Sequence, residues 1–197
     1  MDMPLDFIEE RSDEDLLALY AGGDRTAARA LTLRLAPRIH ALASRMLGDG
    51  AEAEDVTQEA MLRLWKIAPD WRPGEAQVST WLWRVASNLC TDRLRRRRSV
   101  GWDIAFPEGT EPAADAPSVE TGLQHRARAA ALRAALANLP ERQCTAITLR
   151  HLEGLPNPEI ADVMGLGVEA VESLIARGKR GLSAILKGRR DELGFEE

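Results

Sequence analysis

Trp81, Arg84, Asn88, Thr91, Arg95 and Arg98 follow one another at steps of three and four, the spacing that lines residues up along one face of a helix. The stretch holding them contains neither Pro nor Gly, so it reads as one unbroken helix. Leu82, Val85, Ala86 and Leu89 form its apolar stripe. An indole gives a stacking plane, amide and hydroxyl groups bond base edges, and guanidinium groups neutralise phosphate. These are the parts needed to hold single-stranded nucleic acid. A basic helix end also suits the helix macrodipole, so this face by itself reads better as a core helix with a solvated basic end. The rest of the chain decides between the two.

A second chemical pattern lies between 157 and 187. Asn157 is placed to cap, Pro158 takes the first helical position and a short helix runs from Glu159 to Met164. Gly165-Leu166-Gly167 makes a turn, and Val168 opens a helix to about Leu186. Ala161, Gly165 and Val171 meet the steric demands of a helix-turn-helix: a small contact, a permissive turn and a β-branched wedge. Val168, Val171, Ile175 and Leu182 are expected inside, with Ala170, Ser173, Arg177 and Arg180 in an outward row flanked by Lys179. Small residues let such a helix approach base edges, and the cations reach base or phosphate. Gly178 inside this helix costs roughly 1 kcal/mol relative to Ala.

A third pattern is acidic and apolar together. The helix expected over 51–68 has Val56, Ala60, Leu64 and Ile67 as its core stripe. Asp55, Gln58 and Glu59 then lie beside an unused Leu62 and Trp65. Such a surface suits a protein partner, or else a solvated face with Glu59 and Arg63 paired at i, i+4.

The elements that must position these groups follow from composition and punctuation. The 197 residues are 45% hydrophobic, rich in Ala, Leu, Arg and Glu and poor in β-branched alternation, which predicts an all-α fold of one or two domains. Net charge is −5, yet five acidic and no basic side chains lie in residues 100–124, so the flanking parts are nearly neutral with local basic clusters. That segment also holds Pro107, Pro112 and Pro117 and reads as a linker, with Trp102 and Phe106 as its only anchors. Ser12 with Asp15 resembles a capping box for a helix over 13–21, and Asp24 caps a long helix to about Leu47. Leu31, Leu33, Leu35, Ile39, Leu42 and Met46 form the apolar side of that long helix, with Pro37 inside it as an expected kink. Ser79 or Thr80 is the expected cap of the Trp81 helix. A helix over 121–138 and another over 143–152, restarted by Pro140, precede the helix-turn-helix. Cys90 and Cys144 show no pairing pattern and read as small buried hydrophobes of a cytoplasmic protein. Neither a signal peptide nor a membrane span is expected.

Two blocks together resemble the extracytoplasmic-function class of bacterial RNA polymerase sigma factors. The first is Ala53-Glu54-Asp55-Val56-Thr57-Gln58-Glu59 with Leu62 and Trp65, then Thr80 to Asn88 and Asp92-Arg93. The second is Leu139 to Gln143, Gly154, Glu159-Ile160-Ala161, Met164-Gly165, Val171-Glu172-Ser173 and Arg177-Gly178-Lys179. The resemblance implies two small helical domains, a region 2 bundle over 1–99 and a region 4 helix-turn-helix over 123–190. An acidic flexible linker over 100–122 joins them, and a tail over 191–197 follows.

It also implies sites. Asp55, Gln58, Glu59, Leu62 and Trp65 would dock on a coiled coil of the β′ subunit of core RNA polymerase, with the β flap as a further contact. Arg72, Gln77, Thr80, Trp81, Arg84, Asn88, Thr91, Arg95 and Arg98 would open and hold the minus-ten element. Ala170, Ser173, Arg177, Lys179 and Arg180 would read the minus-thirty-five element of promoter DNA. An anti-sigma factor is an implied partner, and the linker would thread toward the polymerase active centre. The chain departs from the family pattern at Val78, where an aromatic is usual, and at Glu172 and Leu174, where basic residues are frequent.

The alternative is a stand-alone helix-turn-helix regulator of duplex operators, which explains 157–187 but not the face over 81–98. An enzyme is not expected. His40, His125 and His151 match no triad or ligand spacing, Cys144 with His151 makes a poor metal site, neither a phosphate loop nor a nucleophile motif occurs, and no cofactor is expected.

Overall fold

Ser12 accepts the Asp15 amide at 3.1 Å and opens helix α1, Asp13–Ala21. The computed structural model that shows this describes residues 11–72, 74, 76–99 and 119–187. Among them every regular element is helical, and no helix is long and apolar enough to cross a membrane. Asp24 accepts the Thr26 hydroxyl at 2.6 Å and the Thr26 amide at 2.8 Å, bonds that hold its carboxyl below the usual range, and so opens α2, Arg25–Leu47. Helix α2 runs through Pro37 and ends at Gly48, whose φ of 66° is the left-handed cap conformation. Asp49 accepts the Glu52 amide at 3.0 Å to start α3, Gly50–Ile67.

After a 3-10 turn at Ala68–Asp70 comes α4, Val78–Ser99. Its start is not capped by Ser79 or Thr80. The Glu14 carboxylate of α1 accepts the Val78 amide at 2.9 Å, a partner 64 positions away. Val78 itself is wholly buried, so an aliphatic side chain fills the place where the family pattern expects an aromatic.

The four helices close on Leu16, Leu17, Leu31, Leu35, Leu42 and Leu64, all buried. Two residues assigned to apolar stripes are exposed instead: Leu33 at 67% and Ile67 at 36%. Leu33 is two residues from both Leu31 and Leu35 and so lies on the other side of α2, and Ile67 sits in the last turn of α3. In α4, Leu82 and Ala86 are buried as expected while Val85 and Leu89 are half-buried. Trp83 is buried under the Arg38 guanidinium, 5.3 Å from its ring.

The second half comprises α5, Val119–Ala137, α6, Glu141–Ile147, which continues as a π-helical turn over Thr148–Leu152, then α7, Asn157–Met164, and α8, Val168–Lys187. Helix α5 therefore begins inside the stretch the sequence assigns to the linker. The rest of that linker, Trp102 and Phe106 included, the Arg98 side chain, the His125 side chain and the 191–197 tail lie outside the described residues. Pro140 occupies the cap position of α6 rather than its first turn. Gly165, φ 63°, makes the turn between α7 and α8.

Gly178 has a steric reason for its place. A Cβ there would lie 2.6 Å from Ile147 Cγ1, so its absence lets α8 settle against α6. A Cβ on Gly181 would lie 2.7 Å from Leu139 Cδ2. The helical penalty expected at Gly178 is thus offset by packing.

Candidate nucleic-acid and protein interfaces

The α7–α8 pair presents its row as the spacing predicts. Ala170, Ser173, Arg177, Lys179 and Arg180 are all exposed, while Val171 and Ile175 are buried beneath them. Arg177 Nε donates to the Ser173 carbonyl at 3.2 Å, which lays its side chain along the helix. One assignment is corrected: Val168, expected inside, opens the helix and is 40% exposed. Leu174, which stands where basic residues are frequent in the family pattern, is 8% exposed and belongs to the core. Asn157 does not cap α7. Pro156 holds that position, and the Asn157 amide instead donates to Glu172 Oε1 of α8 at 3.4 Å.

The α4 face is also aligned. Trp81 is half-buried, edge-on to Trp71 with centroids 6.0 Å apart. Arg72, Gln77, Arg84, Asn88 and Arg95 are exposed, and Thr80 and Thr91 half-buried. Two of its described cations, however, are already engaged. Arg84 donates to the Asp162 carbonyl of α7, and Arg95 lies 3.7 Å from Glu141 of α6. Arg93 donates to the Glu52 carbonyl at 3.1 Å and faces Asp55 at 3.6 Å. Arg97 binds Glu52 at 2.9 Å, the Leu47 carbonyl at 2.9 Å and Asp49 at 3.8 Å. The last carbonyls of α2 and the first carboxylates of α3 converge there, and a cation satisfies both. Part of the basic run read as phosphate-directed is therefore structural.

On α3, Asp55 and Gln58 are exposed beside Leu62, which is 62% exposed. Glu59 pairs with Arg63 at 2.8 Å. Trp65 is not spare: it is half-buried against Tyr20, with ring centroids 4.7 Å apart.

Sequence reasoning missed the surface between the two halves. Helix α4 packs on α7 and α6, and α2 packs on α5 and the π turn. Arg45 of α2 forms an ion pair with Glu153, whose side chain is only 7% exposed. Burial pushes the Glu153 carboxyl above its ordinary range, while Arg45 and Arg38 pull it back. The pair is 108 positions apart, so no local pattern could reveal it. A small cleft between the halves is lined by Met46, Leu94, Arg97, Leu136, Leu139 and Cys144. Cys90 and Cys144 are free and buried, and desolvation pushes their thiols up to about 12 and about 11. His151 lies on the surface, with burial, Lys179 and Arg150 all lowering its pKa. Among the described residues no group of three or more His, Cys, Asp or Glu could hold a metal ion.

Comparison with known proteins identifies both halves. Residues 31–100 match the Sigma-70 region 2 family and residues 129–182 match Sigma-70, region 4. The RNA polymerase sigma-H factor of Pseudomonas aeruginosa is 32% identical over 91% of this chain and 96% of its own. The ECF RNA polymerase sigma factor SigM of Mycobacterium tuberculosis is 34% identical over 90% of this chain and 86% of its own. In three dimensions the chain resembles CnrH, solved in complex with the cytosolic domain of CnrY. The TM-score is 0.68 at 27% identity, covering 90% of this chain and 99% of that one.

Proposed function

The chain belongs to the extracytoplasmic-function sigma factors, transcription initiation factors that direct RNA polymerase to promoters, and from that premise we propose how its surfaces divide the work. Helix α8 reads the minus-thirty-five element as duplex, its N-terminal half in the major groove. Supporting this, its outward residues are exposed and its inward ones packed. The loop from Arg72 to Thr80 and the α4 face hold the minus-ten element as single strand, with Trp81 as stacking plane and Asn88 as edge reader. Asp55, Gln58, Glu59 and Leu62 on α3 dock on the β′ coiled coil, with Trp65 buttressing that face from within. The β flap contacts the C-terminal half. No reaction on a substrate is asked of any residue, and the protein works where polymerase and chromosome are, in the cytoplasm.

One observation carries the reading: the chain has two aligned outward rows, on α8 and on α4, and the arginines Arg84 and Arg95 of the α4 row are engaged by α7 and α6. In this closed form two arginines of the α4 row are held by the other half, while the α8 row carries its cations exposed. An anti-sigma factor that holds the halves together would keep it so, and core polymerase, by drawing them apart, would uncover the second face. A stand-alone operator-binding protein has no use for the region 2 half.

A gel-shift titration with and without core polymerase is the test. Alone, the protein should bind promoter duplex weakly and with strong salt dependence, and with core enzyme tightly and selectively. Asp55→Arg, or Leu62→Asp, should abolish that gain while circular dichroism stays helical. Arg177→Ala should relax one minus-thirty-five position by about 1–3 kcal/mol. Tight selective binding by the protein alone overturns the reading.

A further inference from the structure

The charges on the outward side of α8 are unevenly placed. Over its first two turns the exposed residues are Val168, Glu169, Ala170, Glu172 and Ser173, and the first cation on this side is Arg177. Leu174 is buried and contributes nothing there. The part of the helix that meets base edges therefore carries carboxylates, while Arg177, Lys179 and Arg180 follow behind. Glu169 sits in the first turn, where a carboxylate complements the helix dipole. Glu172 lies beyond that first turn, and its Oε1 is steered by the Asn157 amide across the α7–α8 angle. A carboxylate offers about four acceptor sites, so that one bond leaves it able to accept more.

An ionised carboxylate facing a polyanion is repelled unless a donor meets it. In the major groove only two base edges offer an amino donor: cytosine N4 and adenine N6. Adenine sets its N7 acceptor beside that amino group, which a carboxylate opposes. Guanine offers acceptors only, and thymine an acceptor and a methyl group. We propose that Glu172 is a specificity-determining residue that accepts a hydrogen bond from a cytosine amino group in the minus-thirty-five element, with Asn157 as its positioning residue. The inference rests on the reading that α8 lies in the major groove.

The chemistry of the replacement side chain dictates how each variant should behave. Gln, bidentate to adenine N6 and N7, should move the preference at one position from C to A. Arg should move it to G, and Ala should leave it indifferent. Asn157→Ala should weaken the C preference without replacing it.

The test is selection of promoters from a library randomised across the minus-thirty-five element, using holoenzyme made with wild type, Glu172→Gln, Glu172→Ala and Asn157→Ala. Thermal melting confirms that each is folded. A C preference of about 5- to 150-fold at one position, turned to A by Gln and erased by Ala while other positions hold, is the expected result. Unchanged preferences in the Glu172 variants overturn the inference and leave the groove assignment standing. So does a uniform rise in affinity for all sequences with Glu172→Ala, the mark of a merely repulsive charge. Wild type without preference anywhere in the element, together with an inert Arg177→Ala, overturns the groove assignment itself.

Discussion

Helices α4 and α8 both bear arginines at helical spacing, yet the two faces differ in what their charges are doing. On α8, Arg177, Lys179 and Arg180 are exposed, and Arg177 bonds the Ser173 carbonyl of its own helix. On α4, Arg84 and Arg95 reach the other half of the molecule, and Arg93 and Arg97 tie down the α2–α3 junction. A basic cluster in a sequence thus counts charges, not available charges. The cations of α8 are exposed to solvent, whereas Arg84 and Arg95 of α4 are engaged by α7 and α6.

The sharpest way to break that contrast is to part the halves. Arg45→Glu sets a second carboxylate against the nearly buried Glu153. Removing one partner of a buried pair costs about 3–5 kcal/mol, and the partial exposure of Arg45 reduces this to about 2–3 kcal/mol. Small-angle scattering should show an expanded molecule, the Cys144 thiol at the interface should alkylate faster, and the free protein should gain affinity for single-stranded DNA through Arg84. An unchanged radius with unchanged alkylation would mean that this pair does not hold the closure.

The opposite experiment spoils α8 and leaves α4 alone. Gly178→Val drives carbon into Ile147 and should destabilise the C-terminal half by about 1–3 kcal/mol, seen as an earlier urea transition. A wild-type midpoint would contradict the close approach of α8 to α6.

Trp81→Ala sharpens the assignment of α4 to unpaired bases. Losing one stacking platform should weaken the open complex by about 1–3 kcal/mol while duplex binding through α8 persists. Permanganate reactivity of unpaired thymines measures it directly, and a normal footprint would reduce Trp81 to a packing residue against Trp71.

The smallest effect is that of pH on closure. Burial in the interface raises the Glu153 pKa, so the closed form binds more protons than an open one. The contribution of Glu153 to closure is therefore fully present below its open-state pKa and fades as pH rises through its closed-state pKa. Glu153→Gln should flatten the scattering radius against pH across the carboxylate range. A slope that survives in Glu153→Gln would assign the effect to other groups.

These contrasts also explain what the sequence could and could not reveal. Caps at Ser12 and Asp24, the turn at Gly165 and the outward row of α8 are local, set by residues two to four positions apart, and all were legible. The start of α4 was not, because its amide is accepted by Glu14 on another helix. The engagement of Arg84 and Arg95 with α7 and α6, and of Arg93 and Arg97 with the α2–α3 junction, was not legible, because helical period gives a face its direction but not its neighbours. Trp65 looked spare because Tyr20 lies 45 positions upstream. The surfaces were visible as patterns of residues, but their state, open or covered, is a property of long-range packing. The roles of the individual site residues rest on the experiments above.

Gly178 and Gly181 leave α8 with a smooth inner side, seated directly against Ile147 and Leu139. The helix is anchored by backbone shape rather than by any residue of its outer row. Its outward residues can therefore be exchanged without moving the helix, much as type is reset in a fixed frame. On the proposed reading, Glu172, Ser173 and Arg177 form an alphabet that engineering, or divergence among duplicated copies, can rewrite to address a new set of promoters while the fold stays as it is.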